Sequence, residues 1–348
     1  MSQQIELGLD TFGDITAGPD GTPRSHAQVI RDVIEQGVLA DQVGVDAFGV
    51  GEHHRPDFAV SSPDMVLATI AGRTKRIWLG SAVTVLSSDD PIRVFQRFST
   101  LDAASNGRAE VTLGRGSFIE SFPLFGYELS DYEKLFEEKL DLFAALLHNE
   151  TVSWRGATRP PLDNQRVFPP IENGAGRAGM LRTWIGVGGS PESVVRAARY
   201  DLPLMLAIIG GDPKRFLPYV DLYKRAYAQL DKPPQSIGVH SHGYVAATDE
   251  LAREELWPDY KRMRDRIGAE RGWPPMTRAE FDHEAEHGSL YVGSPQTVAR
   301  RIAATAKALS IARFDMKYSA GTLSHEKIMR CITHFGEKVM PMVREMMG

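Results

Sequence analysis

The chain has 348 residues, 42% hydrophobic and 24% charged, and a formal net charge of −5. Those proportions belong to a globular protein with a substantial core, and the mild acidity offers no field to draw nucleic acid or an anionic membrane. A single cysteine, Cys331, excludes an intramolecular disulfide and a cysteine-built metal site, which fits a reducing, cytoplasmic setting. The N-terminus has no charged segment leading into an apolar core, and no apolar run reaches the roughly 18–20 residues of a membrane span.

In chain order, Ile5 to Asp10 predicts a strand, followed by a Gly/Asp/Pro-rich loop through Pro23. Ser25 caps a helix from about Ala27 to Val43. Val45 to Val50 is a short apolar second strand that opens onto Gly51 and then Glu52, His53 and His54. Pro63, with Ser61 or Ser62 as cap, starts a second helix, and Ile77 to Leu86 is a third strand. Pro91 begins a helix ending near Ala104; Asn106-Gly107 turns the chain into a fourth strand, Ala109 to Gly114. Asp131 caps the helix Tyr132 to Leu147.

The period breaks over 151–179, a proline- and glycine-rich excursion that suggests a hairpin plus a loop. Arg182 to Val187 is a fifth strand, with Gly188-Gly-Ser-Pro191 leading into a helix through Tyr200. Leu202 to Ile209, Ser236 to Ala246 and Ala312 to Tyr318 supply strands six, seven and eight. Helices Pro213 to Leu230, Ser294 to Leu309 and Ser324 to Met346 lie between and after them, and the charged segment 249–287 predicts a second excursion, helical or mobile. Eight strand–helix alternations with insertions are the pattern of one (β/α)8 barrel domain over 1–348.

In such a barrel, chemistry collects at the C-terminal strand ends. There the sequence puts Glu52, His53 and His54; Arg115 between Gly114 and Gly116; and the segment Gly188 to Ser193. Two glycines, a serine and a proline at a helix start leave backbone N–H groups aimed at one point, a suitable phosphate cradle, although many ordinary capped helices begin this way. Arg115 is a suitable charged partner for the same phosphate or for an electron-rich ring. Ser81-Ala-Val-Thr84 places small residues where a flat ligand needs room, or where a large neighbour packs. His240 and His242, two apart, share one face of the seventh strand; with His53 and His54 they leave a metal-dependent hydrolase as a rival reading.

Four stretches taken together resemble the bacterial luciferase-like monooxygenases, the flavin-dependent (β/α)8 barrels. These are Gly49-Val-Gly-Glu-His-His54, Ile77 to Leu86 followed by Asp90-Pro91, Asn106 to Gly116, and Gly188 to Ser193. The resemblance implies FMN, bound in its reduced form as a cosubstrate, and insertion of one oxygen atom of O2 into an organic substrate through a C4a-peroxyflavin. The reduced flavin would come from a separate reductase or from NAD(P)H. It assigns acid/base work to His53 beside Glu52, and a non-proline cis peptide under the flavin ring to Ala82-Val83. It places flavin or phosphate contact at Arg115, and the phosphate turn at Gly188, Gly189, Ser190 and Ser193. It makes 249–287 a lid and the protein a homodimer. A deazaflavin-linked hydride transfer on the same barrel, or a flavin-binding relative without activity, remains open. Phe12, Phe118, Ile208 and Met316 are candidates for an apolar pocket, or for core.

Overall fold

The computed structural model describes residues 4–116, 118–172, 174, 176 and 179–348. The first half of the barrel contains β1 (Glu6–Thr11), α1 (His26–Gln42), β2 (Ala47–Val50), α2 (Pro63–Ala71), β3 (Trp78–Ser81) and β4 (Thr84–Val85). It continues with α3 (Pro91–Ser105), β5 (Ala109–Gly114), α4 (Ser121–Phe125) and α5 (Tyr132–His148). A hairpin, β6 (Val152–Trp154) with β7 (Leu162–Gln165), occupies part of the first excursion.

The second half holds β8 (Arg182–Val187), α6 (Pro191–Arg199), β9 (Leu204–Ala207), α7 (Leu217–Gln229) and β10 (Ile237–Val245). Then come α8 (Asp249–Arg271), α9 (Arg278–His287), β11 (Tyr291–Gly293), α10 (Pro295–Leu309), β12 (Arg313–Lys317), α11 (His325–His334) and α12 (Met340–Met347). The second excursion is therefore two helices, and the single closing helix expected from the sequence is interrupted by a π turn at Phe335–Val339.

Eight parallel strands close on themselves in the order β1, β2, β3, β5, β8, β9, β10, β12, the last pairing with the first. The βα turns share one local device. Asp90, Ser190, Ser294 and Ser324 each accept a hydrogen bond from a backbone N–H in the first helical turn, and at the first three a proline follows the cap. Polar caps of this kind fix where each helix starts, and so where each strand end points.

Alternate strand residues divide two cores. Leu7, Leu9, Phe48, Val50, Leu79, Val111, Leu113, Ile185 and Val187 are buried on the outer faces, against helices. The inner faces carry charge. Arg313 bonds Glu110 at 2.7 Å and holds both oxygens of Asp315 at 2.8 and 2.9 Å, while Arg182 reaches Glu6 at 2.5 Å. Higher up, His240 Nδ1 lies 2.6 Å from Asp10. Glycines supply the space: a Cβ at Gly8 would sit 2.1 Å from Asp315 Oδ1, one at Gly49 1.9 Å from Asp10 Oδ1, and one at Gly80 2.7 Å from Glu110 Cγ. Buried charges survive only when paired, and here each faces a partner of opposite sign or a hydrogen-bonding group.

Candidate functional site

The C-terminal mouth of the barrel is a ring of half-buried side chains over a buried wall. Phe12, His53, Ala82, Val83, Arg115, Gly186, Ala207 and His242 keep some accessible surface and lie in the C-terminal part of, or shortly after, β1, β2, β3, β5, β8, β9 and β10. The third strand breaks here: β3 stops at Ser81 and β4 resumes at Thr84. Ala82 N–H still bonds Val50 O at 3.0 Å, and Val83 leans over Gly114, where a Cβ would lie 2.8 Å from its Cγ1. A shelf of small groups results. The Ala82-Val83 peptide is trans, contrary to the expectation from resemblance; the cis bond among the described residues is Phe168-Pro169. The trans form is the ordinary state of a non-proline peptide, favoured by about 2.5–4 kcal/mol.

The side chains of His53 and Glu52 take different partners. Glu52 is buried, accepting from Val85 N–H at 3.1 Å and meeting His54 Nε2 at 2.8 Å. That hydrogen bond, ahead of opposing burial, raises the His54 pKa. The two line a polar cavity of about 260 Å³ with Ser61, Thr84, Ser88 and Arg97, beside the shelf. His53 turns the other way, into an aromatic box. Its ring stacks on Phe12 at 4.8 Å, tilts against Phe58 at 4.5 Å and meets Phe118 edge-on at 4.9 Å. Burial first, then the Lys317 and Arg55 charges, drive its pKa down to about 3 against the opposing pull of Asp14, so the ring is neutral throughout the physiological range. The strand turns at Gly51 because Phe12 occupies the place of a side chain there, 1.9 Å from a built Cβ.

On the far rim, β8 delivers Gly188 and Gly189 to the start of α6. Beyond its chain neighbours, no atom of the described residues lies within 4 Å of a Cβ at Gly188, and at Gly189 the Tyr219 hydroxyl lies at 3.7 Å, so this turn faces open space. Ser190 Oγ accepts from Ser193 N–H at 3.3 Å and donates to Glu192 at 2.8 Å. Arg115 lies over the Tyr132 ring at 5.3 Å and pairs with Glu133. Arg196, which the sequence reading passed over, donates to Ser193 Oγ at 3.2 Å and pairs with Glu137. It stands three residues past Ser193, one turn along the same helix face, and that spacing was the available signal. The turn, the shelf and Arg115 together fit a flat ring with a phosphate tail. A phosphate there would take Arg115 from Glu133, both ends of that pair being partly exposed.

Beneath the box, Lys317 and Asp14 form a buried ion pair at 3.0 Å, which Ser319 Oγ and Gly321 N–H complete through Asp14. Among the described residues the one trio of ligand atoms within 4.8 Å of one another is Asp32, Glu35 and His325 on α1 and α11; His53, His240 and His242 form no such trio. Of the apolar candidates, Phe12 and Phe118 line the site, whereas Ile208 and Met316 are fully buried, Met316 against β10.

Helix α8 crosses the mouth. Arg55 bonds Glu270 at 2.5 and 2.9 Å, Arg266 bonds Asp57 at 2.6 Å, and the guanidinium of Arg55 lies 4.4 Å from the Phe118 ring centre. No helix among the described residues is long and apolar enough to cross a membrane.

A parallel barrel with an anion-type turn and a half-buried neutral imidazole at one mouth could hold a phosphate-bearing ligand. The family described as luciferase-like monooxygenase matches residues 11–312, and the chain belongs to it, as an enzyme of the oxidoreductase class. Among curated relatives is the 4-hydroxyprotoasukamycin monooxygenase of Streptomyces nodosus subsp. asukaensis, 27% identical over 68% of this chain and 64% of its own length. In fold the chain is similar to the monooxygenase RslO1 of Streptomyces bottropensis (TM-score 0.83, 21% identity, 97% and 99% of the two chains). It is also similar to the oxygenating constituent of 3,6-diketocamphane monooxygenase of Pseudomonas putida, a complex with FMN (TM-score 0.75, 18%, 97% and 98%). An F420-dependent secondary alcohol dehydrogenase shares the architecture (TM-score 0.73, 15%, 98% and 99%).

Proposed function

We propose that the protein is an FMN-dependent monooxygenase that places one oxygen atom of O2 in a small organic substrate. One observation carries the reading: the open turn at Gly188, Gly189, Ser190 and Ser193, the Arg115 guanidinium and the Ala82-Val83 shelf lie on adjoining strand ends that lead to His53. The turn and Arg115 would hold the phosphate, and the shelf would lie under the ring. Reduced FMN supplies the electrons that activate O2. His53 would accept or donate a proton at an imidazole nitrogen that stays uncharged between turnovers, while Phe12, Phe58 and Phe118 keep water from it. Glu52 acts at one remove, by fixing Val85 and His54. Helix α8 serves as a lid, the reduced flavin comes from a reductase or from NAD(P)H, and two copies associate as a homodimer.

The test is a titration of the purified protein with FMN and with a deazaflavin, followed by mixing of the reduced complexes with O2. Micromolar FMN binding and rapid flavin reoxidation are expected. Binding of the deazaflavin alone would move the assignment to hydride transfer, and FMN binding without oxygen reactivity would leave a binding protein.

A further inference from the structure

His240 and His242 are a constellation at the mouth that the proposed chemistry leaves idle. They stand on β10, which lies four places from β3 around the eight-stranded ring, so His242 faces the Ala82-Val83 shelf across the mouth. The two histidines differ. His240 is buried and committed, its Nδ1 at 2.6 Å from Asp10. His242 keeps accessible surface, yet its Nδ1 is buried and has no partner among the described residues, and the Tyr260 ring of α8 stands edge-on 5.9 Å above it. A buried imidazole nitrogen without a partner is costly, and the cost disappears when a ligand atom completes it.

The charges around it are already satisfied. The Lys317 ammonium donates to both Asp14 oxygens, at 3.0 and 3.2 Å, and to Ser319 O at 2.5 Å. Arg55 is taken by Glu270 and Asp57. Among the side chains named here, His242 Nδ1 is therefore an unused neutral hydrogen-bonding group beside aromatic rings, and neither cation is unused.

Resting on the proposed placement of the cofactor on the opposite shelf, we infer that His242 is the substrate-recognition residue of this enzyme. It hydrogen-bonds an oxygen of an uncharged, oxygen-bearing, otherwise apolar substrate, a ketone or an alcohol, lying between Phe12, His53 and Tyr260. A saturated hydrocarbon leaves the nitrogen unpaired, and a carboxylate or sulfonate brings a charge that Lys317 and Arg55, already paired, do not neutralise.

Three matched probes separate these classes: acetophenone, ethylbenzene and benzoate. Binding to the flavin-loaded and flavin-free protein is followed through the 15N resonances of the histidine rings, with His242→Phe identifying the His242 signals. Acetophenone is expected to shift them and to bind at least about tenfold more tightly than ethylbenzene or benzoate. The preference should fall to within about threefold in His242→Phe and be partly restored in His242→Gln. Equal binding of the three probes, absence of any His242 shift, or an unchanged preference in His242→Phe overturns the inference. If His242→Phe does not fold, loss of the same signals in His242→Gln identifies them, and the wild-type shifts then decide. Failure of FMN to bind in the same samples strikes the proposed function separately, because the probe preference is read without flavin as well.

Discussion

At the residue scale, the neutrality of His53 has two measurable consequences. His53→Ala should cut turnover by about 10²-fold or more, the usual scale for loss of a general acid or base, with FMN affinity little changed. Steady-state kinetics beside a flavin titration checks this, and unaltered turnover removes His53 from the chemistry. The same ring also weakens the fold in acid. Its pKa is near 3 when folded and 6.5 when unfolded, so between those values the unfolded chain binds the extra proton. Its contribution is whole above pH 6.5 and declines as the pH falls towards 3. Urea unfolding of His53→Phe should show a shallower loss between pH 6 and 4, by up to about 1.4 kcal/mol per pH unit. Arg115→Ala should weaken FMN binding by about 1.5–3 kcal/mol, the worth of a charged hydrogen bond, and an unchanged dissociation constant would place the phosphate elsewhere.

Elements show what the sequence could tell and what it could not. The four stretches that carry the family resemblance were legible as strand ends, and the polar caps and prolines of α3, α6 and α10 marked their helix starts in the chain itself. The side chains' directions were not. Glu52 and His53 are neighbours in sequence, so they read as a pair, yet backbone alternation sends them to opposite sides, and only Val85 and the Phe12 ring decide which way each goes. Part of one motif also proves architectural: Arg108 spends its guanidinium on the carbonyls of Ala71, Thr74, Ile77 and Ser105. The charged 249–287 segment offered little apolar period because α8 rests on ion pairs as much as on packing. Arg55→Ala should consequently speed amide hydrogen exchange over residues 259–271 by a few-fold, each such partly exposed pair being worth roughly 0.2–1 kcal/mol, and raised salt should mimic it in wild type. Exchange that is identical in the two proteins would detach α8 from the 55–57 loop.

The whole molecule is a barrel whose inside is ionic. The alternations Glu6-x-Gly8-x-Asp10 and Arg313-x-Asp315-x-Lys317 stood in the sequence, but strand patterns are ordinarily read with the apolar set facing the core, and here each strand has a core on both sides. Removing one member of such a network strands the others. Glu110→Ala is expected to cost about 3–5 kcal/mol in chemical denaturation, since Arg313 and Arg182 lose a shared buried anion; a loss below 1 kcal/mol would mean that water already reaches the layer. Asp315 adds a pH term of opposite sign to that of His53. Burial, with Asp10 and Glu110 nearby, holds its pKa at about 7 despite Arg313. Its stabilising effect is fully present below the unfolded value of 3.8 and disappears as the pH rises through 7.

The layer of Glu6, Glu110, Arg182 and Arg313 also stoppers the vessel. Interlocked charges fill the lower end, so both guests, cofactor and substrate, would enter by the mouth beneath α8. Two guests that share one doorway to a dead end must queue. Cofactor, which would lie on the shelf, has to settle before substrate, and substrate arriving first bars its way. Initial rates should then follow a compulsory order, with excess substrate inhibiting competitively against reduced FMN, whereas a random order would betray a second door.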